Sequence, residues 1–125
     1  MICGIGCDIV EVKRFEQKSL DSKYIERFFS GEEIQQAPEN QLSVPLYYAS
    51  RFAAKEAFVK ALGLGMRLGS WQDMEVVHTN LGAPVLKVKD TFKEELEKRF
   101  GKAPSLYLSI SHSQAYAVAQ IIIEK

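Results

Sequence analysis

The sequence predicts an α+β domain in which a mainly antiparallel sheet packs around one long helix. Three patterns carry that expectation. Leu106, Leu108 and Ile110 alternate with Tyr107, Ser109 and Ser111, the period of a half-buried strand. Met74 to Val77 and Val85 to Val88 flank Asn80-Leu81-Gly82 and read as a hairpin. Pro45 suits the first turn of a helix and Gly63 its C-terminal cap, with about 18 residues, or roughly 27 Å, between them.

From the N-terminus, Ile2 to Val10 reads as a buried strand interrupted by Gly4 and Gly6. Glycines there let another backbone or a ligand come close. Ile9 to Phe29 reads as helical and carries several basic side chains, and Gln35 to Ser43, polar and containing Pro38, reads as a loop. A flexible glycine loop, Gly63 to Gly69, follows the long helix. Thr91 to Phe100 is a charged amphipathic helix ending at Gly101. A turn at His112 to Gln114 leads into a last strand, Tyr116 to Ile123. No repeat, low-complexity tract or linker divides the chain, so one domain is expected over residues 1–125.

With 46% hydrophobic residues the chain can bury a modest core. Zero formal net charge argues against a dedicated nucleic-acid binder. Charge is nevertheless uneven: Lys13 to Arg27 holds five basic residues against three acids. Cys3 and Cys7 would lie on the same side of one strand, where they can hardly be bridged. They read as reduced thiols of a cytosolic protein, and no histidine partners at ligand spacing make them a zinc site. No signal peptide is evident, and no apolar run approaches the roughly 18 residues of a membrane span.

Chemistry concentrates in Arg51-Phe52-Ala53-Ala54-Lys55-Glu56-Ala57-Phe58-Val59-Lys60. Glu56 and Lys60 have the i,i+4 spacing of an ordinary surface pair. Phe52 and Val59, however, fall on the same face as Glu56, and a carboxylate set among apolar side chains is costly unless it meets a cation. Asp8 followed by Glu11 matches a capping box, and an acid at a strand's end can also be held rigidly enough to ligate a metal. Two such acids with lysines nearby suit a magnesium ion carrying a diphosphate. Exposed amides of Gly63 to Gly69, with Arg67, can cradle phosphates. Ser109-Ile110-Ser111-His112-Ser113 has no glycine elbow, which argues against a hydrolase triad. His112 is either a turn residue or a donor to a phosphate oxygen. His78 reads as merely exposed.

Three segments, in this order, resemble the holo-acyl-carrier-protein synthases, the small bacterial group of 4′-phosphopantetheinyl transferases. They are Gly4 to Glu11, Arg51 to Ala61, and Ser109 to Ser113 with Tyr116-Ala117. Met74-Glu75-Val76 and Gly82-Ala83-Pro84 fit the hairpin between them, and the likeness runs from residue 1 to about 124.

The resemblance implies the 4′-phosphopantetheinyl transferase fold. It also implies transfer of 4′-phosphopantetheine from coenzyme A to a serine of apo-acyl carrier protein, in support of fatty acid biosynthesis, with release of adenosine 3′,5′-bisphosphate. By the same likeness magnesium is the cofactor, held by Asp8 and Glu56, and Asp8, Glu56 and Lys60 are catalytic. Lys55, Lys60, Gly63, Gly65, Arg67, Ser111 and His112 lie around coenzyme A. Arg14, on the first helix, receives the acidic carrier protein. The attacking serine is the carrier's, and its proton goes to water beside the metal, to Glu56 or to a nearby acid. Leu64 stands where the family often has threonine, and Cys7 where it has a plain aliphatic residue. Larger members resemble two fused copies of such a unit, which implies a homotrimer with sites between subunits. Two other readings compete: an interaction protein whose basic first helix docks an acidic partner, and a different magnesium-dependent enzyme acting on nucleotide diphosphates.

Overall fold

The structure, a computed structural model, describes residues 1–63 and 69–125. Its centre is the expected long helix, α4 (Val44–Leu62), with Pro in the first turn and Gly63 at φ 78° closing the C-terminus. Only glycine adopts that left-handed conformation without cost. Tyr48, Phe52, Ala53, Ala54, Ala57 and Phe58 are all buried, on more than one face, as suits a helix wrapped by the rest of the chain.

A three-stranded antiparallel sheet covers one side of α4. Its strands are β1 (Ile2–Glu11), β4 (Ser105–His112) and β5 (Tyr116–Glu124), in the order β1-β5-β4. The expected hairpin forms a separate two-stranded sheet, β2 (Met74–His78) with β3 (Pro84–Val88). Three short helices follow β1: α1 (Arg14–Lys18), α2 (Ser22–Phe28) and α3 (Gly31–Gln35). A 3-10 turn at Trp71–Asp73 precedes β2, and α5 (Asp90–Phe100) joins β3 to β4.

Gly4 and Gly6 bring β1 against α4. A Cβ on Gly6 would sit 1.8 Å from the Ala57 carbonyl oxygen, and one on Gly4 would sit 2.6 Å from that of Ala61. On the same face of β5, Ala117, Ala119, Ile121 and Ile123 are fully buried, and in register they pair with Val10, Asp8, Gly6 and Gly4. The opposite face of this sheet is open. Ile5 is 71% exposed and Ile9 62%, which corrects the expectation of a strand buried throughout.

Two other expectations are corrected. No single helix runs from Ile9 to Phe29. Residues 9–11 stay in the sheet, paired with Val118, Ala117 and Tyr116, and the helical part breaks before Asp21. The Asp21 carboxylate accepts hydrogen bonds from the Lys23 and Tyr24 amides and starts α2 afresh. Asp8 caps no helix, because it lies inside β1. Among the described residues the capping boxes are at Ser30 with Glu33 and Ser70 with Asp73. Phe15, Phe28, Phe29, Tyr48, Phe52 and Trp71 interlock where α1, α2 and α4 meet.

A buried ion pair crosses this region. Lys55 Nζ lies 2.5 Å from Glu33 Oε1, with both side chains almost fully buried. The Glu33 carboxylate also accepts the amides of Ser30 and Val76.

Gly6→Ala should cost about 3 kcal/mol or more, since the methyl would meet backbone that cannot yield. Gly31→Ala, with nothing within 4 Å of the new Cβ, should be neutral or slightly stabilising. Urea midpoints of the two variants check this.

Candidate functional site

β1 and α4 together build an open cavity of about 580 Å³, lined by Asp8, Arg14, Phe52, Glu56 and Lys60 among others. Asp8 points toward α4 because it shares the β1 face with Gly6 and Val10. Glu56 and Lys60, one turn apart on α4, meet it there. Lys60 Nζ donates to Asp8 Oδ1 at 2.9 Å and to the Cys7 carbonyl at 3.1 Å. The ion pair is lopsided: the lysine side chain is 53% exposed and the aspartate 14%. Its contacts with Asp8 raise the Lys60 pKa, so the cation persists at the cavity rim.

Glu56 is half-buried and makes no hydrogen bond among the described residues. Burial, then the neighbouring Asp8 charge, raise its pKa, while Lys60 and Arg14 act in the opposite sense. Two carboxylates close enough to repel, one of them without a direct partner, form a site that a cation relieves. Among the described residues no group of three or more His, Cys, Asp or Glu converges as a metal cage. A pair of carboxylates still suits magnesium, which is usually held by one or two of them plus water and phosphate oxygens. Arg14 spreads its guanidinium 4.5 Å from the Phe52 ring centre and donates to the Tyr24 hydroxyl, on the wall of the same cavity.

Four expected site residues, Asp8, Glu56, Lys60 and Arg14, thus come together. Others do not. Lys55 is corrected: it is wholly buried, and its ammonium donates to the Phe28 carbonyl, Glu33 and the Trp71 carbonyl, leaving no donor for a ligand. Adjacent helix positions diverge by about 100°, so Lys55 points inward where Glu56 points to the cavity. Gly63 serves as the α4 cap. Gly65 and Arg67 lie outside the described residues. Ser111 and His112 are exposed at the end of β4 and do not line the cavity of Asp8 and Glu56.

His112 instead lines a second cavity of about 400 Å³, with Tyr47, Arg51, His78 and Pro84. Arg51 stacks 3.6 Å from the Tyr47 ring centre, and its buried Nε has no hydrogen-bond partner among the described residues. Burial lowers the pKa of His78, as does the Arg51 charge. An unsatisfied buried guanidinium donor beside two imidazoles suits an anionic ligand. In the sequence Arg51 is only the first residue of the segment Arg51 to Lys60, because its stacking on Tyr47 and its nearness to His112 are tertiary.

Comparison with known proteins connects the chain to a family. Residues 4–120 match the family described as the 4′-phosphopantetheinyl transferase superfamily. The chain is 45% identical to the holo-[acyl-carrier-protein] synthase of Geobacter sp. (strain M21), with all of both chains covered. The crystal structure of that synthase from Neisseria meningitidis superposes with a TM-score of 0.85 at 35% identity, again over both whole chains. The Bacillus anthracis synthase in complex with CoA (3′,5′-ADP) superposes at 0.79 and 37% identity, covering 100% of this chain and 98% of that one. A compact α+β transferase fold is thereby defined. The chain belongs to the 4′-phosphopantetheinyl transferase superfamily.

Folding raises the Glu56 pKa above 4.5, so its favourable share of stability is complete below that pH and is lost as pH rises through the folded value. Glu56→Gln should therefore gain urea resistance over the parent chain at about pH 8 and show no such gain at about pH 4.

Proposed function

We propose that this chain transfers the 4′-phosphopantetheine of coenzyme A to a serine of an apo-acyl carrier protein, releasing adenosine 3′,5′-bisphosphate and supplying carriers for fatty acid biosynthesis. The observation that carries the reading is the convergence of Asp8, Glu56 and Lys60 on one cavity, in a fold shared with a coenzyme A-bound synthase.

Asp8 and Glu56 would hold magnesium, which when bound neutralises charge on the coenzyme A diphosphate. Lys60, kept cationic and aimed across the rim by Asp8, offsets charge that grows on the leaving bisphosphate. The carrier's serine oxygen forms the new P–O bond as the bond to the bisphosphate breaks. The proton that serine loses passes to water in the site, to Glu56 or to a nearby acid. Arg14, stacked on Phe52, belongs to the stretch Lys13 to Arg27, whose five basic residues against three acids suit an acidic carrier.

The whole chain, residues 1–125, is read as one domain acting as a homotrimer. Two features support assembly. Ile5, Ile9, Tyr107 and Tyr116 leave an apolar sheet face exposed, of the kind another copy covers. The anion-suited cavity at His112 is also separate from the one at Asp8, as expected if neighbouring copies each supply one wall. The free cysteines Cys3 and Cys7 agree with a cytoplasmic location, and no helix of the described residues is long and apolar enough to cross a membrane.

Incubation with apo-carrier protein, coenzyme A and magnesium should add one phosphopantetheine to the carrier, read by intact mass. An unmodified carrier overturns the assignment. Asp8→Asn and Glu56→Gln should each lower turnover roughly a hundredfold or more while the fold survives. Ile5→Lys should shift the mass measured by light scattering from trimer to monomer and remove activity. A fully active monomer would disprove the shared site.

A further inference from the structure

Lys55 and Glu33 make an ion pair that the proposed chemistry does not use. The lysine ammonium reaches three different segments: the Phe28 carbonyl at the end of α2, Glu33 in α3 and the Trp71 carbonyl before β2. It also lies 4.8 Å from the centre of the Phe29 ring. Glu33 is held in turn by the Ser30 amide through Oε1 and the Val76 amide of β2 through Oε2. Its place is fixed by the capping box that starts α3.

Where α4 meets β1, alanines face glycines and small side chains offer few ridges against rotation, while Tyr48, Phe52 and Phe58 pack on its other sides. Gly6 and Ala57 set how near β1 and α4 approach, not which way α4 faces. Lys55 can set that. It is the neighbour of Glu56 and is tied to α2, α3 and the turn before β2. With Lys55 locked, Glu56 is turned about 100° away toward β1 and Asp8.

We infer that Glu33 and Lys55 are positioning residues, which lock the roll of α4 and so hold the Glu56 carboxylate against Asp8. This rests on the transferase reading for its consequence in turnover, and on geometry alone for its consequence in structure. A purely structural pair would be replaceable by neutral side chains without loss, since buried ion pairs often can be.

The double variant Glu33→Gln/Lys55→Met removes both charges together and keeps an acceptor for the Ser30 cap. A melting temperature close to the parent's with kcat about tenfold to a hundredfold lower supports positioning, because small misplacements cost that much. An unchanged kcat overturns it. Should the double variant not fold, Glu33→Asp keeps both charges and shortens the tie by one methylene. Lower kcat at parental stability then supports positioning, and parental kcat overturns it. A crystal structure of the folded variant decides the matter without turnover: Glu56 displaced from Asp8 supports the inference, and Glu56 in place sinks it. Failure of the parent chain to modify any carrier would count against the transferase reading instead, leaving that structural comparison to judge the pair.

Discussion

The contact between β1 and α4 is the constraint on which the rest of the molecule depends. Two glycines on the strand and Ala57 and Ala61 on the helix remove the side chains that would hold the backbones apart. The strand then lies almost on the helix surface. At that separation a short aspartate from β1 reaches the same cavity as a glutamate and a lysine from α4. A wider spacing would leave Asp8 facing solvent, and nothing in either segment alone would compensate.

The same approach explains the electrostatics. Burial, and then the Asp8 charge, raise the Glu56 pKa, because the two carboxylates share one cavity. Lys60 relieves part of that repulsion through Asp8, while remaining exposed enough to meet a ligand. Preorganised charge of this kind needs little rearrangement when new negative charge appears. With no cation such a pair of carboxylates is unfavourable, and the proposed magnesium and phosphate would offset that repulsion. That is the balance a transferase needs to release one product and accept the next substrate.

Away from the cavity, the fold spends its buried polarity on orientation. Glu33 and Lys55 join α3, α4, the end of α2 and the turn before β2, four segments that hydrophobic contacts alone would join with less angular definition. The open face of the three-stranded sheet has the opposite character. Its apolar side chains have no partner within one described chain, and they point outward from the strand that carries Asp8. The proposed assembly and the proposed chemistry would thus use the two faces of one strand.

Much of this was legible in the sequence. Helix α4, the β2–β3 hairpin, α5 and the last two strands follow from periodicity and from Pro and Gly at their ends, which act locally. Gly4 and Gly6 announced a close approach, Glu56 stood out as a charge among apolar neighbours, and Asp8 and Lys60 were marked by capping-box and i,i+4 spacing and by the family likeness. The partner of Lys55 was not legible. Glu33 is 22 residues away, and its cap at Ser30 resembles any other short polar turn. Where β1 ends was not legible either, because Ile9 to Glu11 suits a strand or a helix until β5 supplies the pairing. Local pattern determined which segments are helix or strand and which residues are chemically equipped. Only tertiary packing decided that Glu56 faces Asp8 while its neighbour Lys55 faces Glu33, since direction around a helix axis is set by what the helix touches.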